Sequence, residues 1–88
     1  MNGRALVAWN LRRLRTERGV SQERLAADAG VDRAYVSELE RELGNASVDL
    51  LDRLAAVLNV AVGEFLKAQP SDYDAVKPLR AGRKPKQS

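Results

Sequence analysis

The residues able to do chemistry crowd into one stretch, Val20 to Arg41, which reads VSQERLAADAGVDRAYVSELER. It supplies hydroxyl, amide, carboxylate and guanidinium groups from Ser21, Gln22, Asp32, Arg33, Ser37, Glu38, Glu40 and Arg41. Such groups bind through hydrogen bonds and ion pairs. The usual equipment of catalysis is missing. The 88-residue sequence has no cysteine and no histidine, which removes thiolate chemistry, the commonest metal ligands and the usual general base at neutral pH. There is no phosphate-cradling glycine loop, and the carboxylates are scattered. The expectation is a binding protein rather than an enzyme, with no metal and no cofactor.

Two short helices must hold these groups. The Ser21 hydroxyl can accept a backbone N–H that the first helix cannot pair internally, and Asp32 can do the same for the second. Between them Gly30 falls where a helix end wants a left-handed residue. Leu25, Ala26 and Ala29 give the first helix a narrow apolar face, with small residues where another helix crosses closely. Val36 and Leu39 give the second its buried side. Val20 with Leu25, and Val31 with Val36, have the spacing of hydrophobic staples. Two capped helices about a glycine-containing turn are the layout of a DNA-binding helix-turn-helix. An ordinary helical hairpin in a small bundle has the same outline.

The flanking sequence is also helical. Met1 to Arg4 reads as a flexible start. Ala5 to Arg18 follows with an apolar stripe of Val7, Leu11 and Leu14, and Gly19 ends it. Trp9 lies off the stripe, near Leu6 and Arg13, where its ring is either merely exposed or, as its large surface favours, covered by the tail or a second copy. After a loop from 42 to 46, Ser47 caps a fourth helix with Asp49 in its first turn, where a carboxylate suits the helix dipole. Its stripe is Leu51, Leu54, Ala55 and Leu58, with Leu50 at the edge, and Asn59 is its left-handed stop. A short fifth helix, 62–67, is anchored by Phe65 and Leu66. No strand signal appears, so the expected fold is all-α. The domain spans 5–67, and a basic, flexible tail runs from 68 to 88.

Charge is unevenly spread. The net value is +3. From Met1 to Gln69 ten basic residues balance ten acidic ones, whereas Pro70 to Ser88 holds Lys77, Arg80, Arg83, Lys84 and Lys86 against Asp72 and Asp74. Phosphate neutralisation dominates affinity for DNA, so a DNA-binding role must rest on where the domain's arginines point. No apolar run approaches the roughly 20 residues that cross a membrane. The N-terminus lacks the layout of a signal peptide. These features predict a protein of the reducing cytoplasm.

The opening WNLRRLRTERG, the central VSQERLAADAGVDRAYVSELER and the capped SVDLLDRLAAVLNV together resemble the Cro/repressor-type (XRE-like) helix-turn-helix family. The match runs from about Trp9 to Leu66. It implies a five-helix lambda-repressor-like domain that binds double-stranded DNA through the helix 32–41. It implies that Gln22 contacts phosphate and braces that recognition helix. It also implies that Glu40, on the buried side, forms a structural ion pair with Arg15. At 100° per residue Val36, Leu39 and Glu40 share one side of the helix, and Ala34, Ser37, Glu38 and Arg41 the other. Arg33 enters from the N-terminal edge. Arg33 can pair with guanine O6 and N7, Ala34 can touch a thymine methyl, Ser37 can bond several edges, and Glu38 can accept from cytosine N4. Tyr35 can pack sideways with its hydroxyl toward a phosphate, or pack alone. Three positions depart from the family pattern: Glu42 and Ala46 stand where glycine and proline are common, and Glu38 adds negative charge. Asn45 and Gly44 remain candidates for phosphate contact.

The resemblance further implies a homodimeric repressor on a palindromic operator, with half-sites about one turn, roughly 34 Å, apart. Leu58, Val60, Phe65 and Leu66 are the apolar residues nearest the C-terminal edge and are the candidate dimer contacts, with plain core packing as the alternative. An antitoxin or restriction–modification controller, binding a protein partner through Tyr73, Val76 and Leu79, is a second reading. An interaction module without DNA is a third. The terminal AGRKPK is similar to an AT-hook core, and equally suits a basic tail that adds nonspecific attraction to phosphate.

Overall fold

A helix with one apolar stripe is stable only when that stripe is covered by another helix, and this chain meets the condition four times over. The computed structural model describes residues 2–69. It holds α1 (Gly3–Glu17), α2 (Gln22–Ala29), α3 (Arg33–Glu40) and α4 (Val48–Leu58), followed by a single 3-10 turn, Val62–Leu66. No strand occurs among the described residues. No helix among them is long and apolar enough to cross a membrane. Tyr73, Val76, Leu79 and the basic AGRKPK run lie outside the described residues.

The stripes close on one core. Leu11, Leu25, Leu54, Leu58, Val36 and Phe65 are its fully buried side chains. α1 packs on α3 and on the 3-10 turn, while α2 packs on both α3 and α4. Four local expectations change. The chain start is not loose: Asn2 caps α1 by accepting the Ala5 N–H at 2.9 Å, so Gly3 and Arg4 are already helical and the helix begins two residues early. The fifth helix is only a 3-10 turn. Within it Phe65 is buried but Leu66 is 53 % exposed, so Leu66 is not an anchor. Asp32 stands at the N-cap of α3, yet its side chain makes no capping bond.

All four helices end alike. Just past each end an N–H reaches a carbonyl five residues back: Val20 to Arg15, Val31 to Ala26, Leu43 to Glu38 and Val60 to Ala55, at 2.9–3.0 Å. The residue directly before each of these donors is left-handed: Gly19, Gly30, Glu42 and Asn59. This motif satisfies carbonyls that the helix end would otherwise strand. The apolar residue that follows packs on the core at Val20, Val31 and Val60, whereas Leu43 stays 64 % exposed.

Glu42 is the misfit of the four. It holds φ 64, a conformation that costs a side chain with a Cβ roughly 1–2 kcal/mol. The departure from glycine therefore leaves the turn geometry intact and adds strain. Glu42→Gly should stabilise the domain by about 0.5–1 kcal/mol after the greater unfolded-state entropy of glycine is subtracted. A melting temperature raised by a few degrees is the expected result, and no rise would show that the strain is relaxed elsewhere.

One buried polar side chain ties the C-terminal segment down. Asn10 is fully buried. Its Nδ2 donates to the Phe65 and Lys67 carbonyls at 3.1 and 3.0 Å. Its Oδ1 accepts from Arg13 Nη2 at 3.1 Å and from Gln69 Nε2 at 2.7 Å. The side chain's hydrogen-bonding capacity is thus used on both sides, as burial requires. Trp9, the next residue back, lies 42 % exposed with the Arg13 guanidinium 5.7 Å from its ring centre. The cover expected for the indole is partial and comes from Arg13, at least within residues 2–69.

Candidate nucleic-acid interface

α3 divides as the helical arithmetic predicts. Val36, Leu39 and Glu40 are buried, Tyr35 and Ser37 are half-buried, and Arg33, Ala34, Glu38 and Arg41 are exposed. The Arg33 and Arg41 side chains make no ion pair with any other described residue. Two free guanidinium groups and one carboxylate, Glu38, thus share an open helix face. Asn45 is exposed just beyond it, in the loop before α4.

Glu40 fixes the helix in place. Its carboxylate, 1 % exposed, takes Arg15 Nε at 2.6 Å and Arg15 Nη2 at 3.0 Å. The same Arg15 donates Nη1 to the Val20 carbonyl at 2.9 Å, so it also holds the α1–α2 turn. Gln22 Nε2 donates to Glu40 Oε1 at 3.0 Å. Arg12 Nε lies 3.5 Å from that oxygen, and Arg12 Nη2 donates to the Glu40 carbonyl at 3.3 Å. One carboxylate therefore joins α1, α2 and α3. Burial pushes the Glu40 carboxyl up, but hydrogen bonds from Arg15 and Gln22, with the charges of Arg15 and Arg12, outweigh it and hold the group below its usual range. The same contacts raise Arg15, chiefly through its hydrogen bond to Glu40.

The expected Arg15–Glu40 pair is present in bidentate form, the geometry in which a buried pair best offsets desolvation. Gln22 braces the recognition helix as expected. An amide nitrogen carries two hydrogens, so one remains after the bond to Glu40. Tyr35 differs from its freer option. Its hydroxyl donates to the Asn45 carbonyl at 3.0 Å while its ring packs against the core, so the proton is not available to a phosphate in this arrangement. The bond instead ties α3 to the loop that carries Asn45.

The candidate dimer residues separate. Leu58 and Phe65 are 1 % and 0 % exposed and belong to the core, which removes them as partner contacts. Val60 is half-buried and packs on that core. Only Leu66 is exposed. It borders a groove with Val7, Leu39, Gly44, Val48 and Leu51, of which Val48 is 68 % exposed. Val48 was not among the expected contacts, although its place one residue after the Ser47 cap, outside the apolar stripe, marks it as outward. Among the described residues no cluster of His, Cys, Asp or Glu could hold a metal ion.

Known proteins share this fold. A family profile described as helix-turn-helix matches residues 11–65. A hypothetical transcription factor of Neisseria meningitidis is 43 % identical over 63 residues, 72 % of this chain and 59 % of its own. The crystal structure of the Neisseria factor aligns with a TM-score of 0.74 at 37 % identity, covering 85 % of each chain. The transcriptional regulator SinR of Bacillus subtilis is 35 % identical over 71 residues, 78 % of this chain and 64 % of its own. The N-terminal DNA-binding domain of SinR aligns at a TM-score of 0.69 and 34 % identity, over 75 % of this chain and 97 % of that one. C.Esp1396I, a restriction–modification controller solved on a 19 base pair DNA duplex, aligns at 0.67 with 29 % identity, over 74 % of this chain and 87 % of its own. The chain thus spans about three-fifths of the length of the Neisseria factor and SinR. The profile covers more than half of the chain and the solved relatives share its fold: the chain belongs to the Cro/repressor-type (XRE-like) helix-turn-helix family.

Proposed function

We propose that this chain is a DNA-binding transcriptional regulator of the cytoplasm, a repressor that acts as a homodimer on a palindromic operator. The observation that carries the reading is the open face of α3, where Arg33 and Arg41 have no ion-pair partner among the described residues while Glu40 locks the opposite face to two other helices. A rigidly held helix with free guanidinium groups suits a major groove. Arg33 reads guanine, Ala34 and Ser37 touch neighbouring base edges, and Glu38 selects cytosine. Gln22 and Asn45 meet the phosphates on either side. The partner face lies at Leu66 and Val48. Two copies joined there present two α3 helices to half-sites one turn apart.

Selection of bound sequences from random duplex DNA tests this directly. An inverted repeat should emerge, and recovery of no preferred sequence would reject the reading. On the selected duplex Arg33→Ala should weaken binding by about 1–3 kcal/mol and relax one base position in each half-site. An equal loss on unrelated DNA would make Arg33 a phosphate contact instead. The likeness to C.Esp1396I favours a narrower form of the proposal, control of a restriction–modification system. Methyltransferase and endonuclease genes beside the native locus are its requirement.

A further inference from the structure

We infer that Arg12 is a further anchor for the DNA backbone, set beside Gln22 by the carboxylate that both residues touch. The inference rests on the DNA-binding reading above and adds a residue to it.

The argument begins with charge at Glu40. Two arginines converge on a single carboxylate. Arg15 is committed, with Nε and Nη2 on Glu40, Nη1 on the Val20 carbonyl and only 14 % of its side chain exposed. Arg12 is held at arm's length. Its contacts with Glu40 are 3.3 and 3.5 Å, and its side chain is 60 % exposed. Arg15 alone neutralises the carboxylate, so the locus keeps one positive charge, and that charge is carried by the outward guanidinium.

Position supplies the second step. Gln22 Nε2 and Arg12 Nε both approach Glu40 Oε1, at 3.0 and 3.5 Å. Gln22 and the Arg12 guanidinium therefore flank the same carboxylate oxygen. That spacing lets them bind the same phosphate or two adjacent ones. Ala5 and Ala8, in the same groove along α1, are too short to cover the guanidinium. Arg13 and Glu42 line the same groove, one charge of each sign, so neither changes the balance there.

The consequence is quantitative because residues 1–69 carry as many acidic as basic side chains. Each cation that meets a phosphate releases counterions and steepens the salt dependence of binding. The full-length chain should be titrated against its selected duplex and against an unrelated one across a potassium chloride series. Arg12→Ala and Arg12→Gln should weaken both complexes by the same factor and lower the slope of log affinity against log salt by about 0.9. Arg12→Lys should restore most of the slope. Arg53→Ala, an equal loss of charge on the exposed side of α4, should leave it unchanged. Arg12→Gln keeps a donor toward Glu40, so its slope decides the matter if Arg12→Ala melts early. A wild-type slope in Arg12→Gln, or a loss confined to the selected sequence, would overturn the assignment. A wild-type chain that binds no duplex at all would reject the DNA-binding reading itself.

Discussion

Glu40→Ala should destabilise the domain by about 3 kcal/mol, the lower end of what losing one partner of a buried ion pair costs. The lower end applies because Arg15 keeps 14 % of its side chain in solvent and can rehydrate in part. A domain of this size has only about 3–10 kcal/mol to lose, so the variant should melt close to working temperatures. The sign of the acid response follows from the same contacts. The Glu40 carboxyl titrates below its ordinary value of 4.5 in the folded chain. As pH falls past that ordinary value, the unfolded chain takes up the proton first, and the pair's contribution is lost as pH falls through the folded value. The contribution is fully present above 4.5. Glu40→Gln cannot titrate, so its denaturation midpoint should fall less between neutral and acid pH than that of the wild type. The Arg15→Ala, Glu40→Ala double variant should be less destabilised than the two singles predict together, since neither charge is left stranded. A loss under about 1 kcal/mol in Glu40→Ala would show that Arg12 and water replace the pair.

Local chemistry was readable and distant contacts were not. Ser21, Ser47, Gly30 and Asn59 announce helix ends because a cap depends on a few neighbouring residues, and the structure uses all four as caps. The two faces of α3 follow from helical geometry alone. Leu58 and Phe65, read both as helix anchors and as candidate dimer contacts, were ambiguous for the opposite reason, and the structure keeps only the first role. They sit near the C-terminal edge of the sequence, but the chain folds back on α1 and sends them to the centre. Nothing local separates a 3-10 turn from a one-turn helix at 62–66. Glu42 is legible only in part, since a glutamate gives no hint that the backbone will force it left-handed. Arg12 escaped notice because its value comes from a carboxylate 28 residues away.

Asn10 left a signal that a different reading could have caught. It falls three residues after Val7 and four before Leu14, inside the apolar stripe of α1, where a polar side chain must have buried partners. Those partners are 55 and 57 residues away, at the Phe65 and Lys67 carbonyls. Asn10→Leu, branched at the same carbon but larger and apolar, should therefore do more than alter packing. It strands the Phe65 carbonyl, leaves the Lys67 carbonyl with Gln69 alone, and removes the acceptor used by Arg13 and Gln69; each buried group left unpaired costs about 1–3 kcal/mol. A total loss of roughly 2–4 kcal/mol is expected, partly repaid where water reaches the freed groups. The loss should be local before it is global. Amide hydrogens of residues 64–67 should exchange faster at temperatures where α2 and α3 stay protected. Leu66, on the proposed partner face, moves with that segment, so self-association should weaken while a single copy still folds. Binding to one half-site should then survive where binding to the paired sites fails. Uniform protection of 64–67 in Asn10→Leu would mean that Phe65 burial alone seats the segment, and that the amide clamp is dispensable.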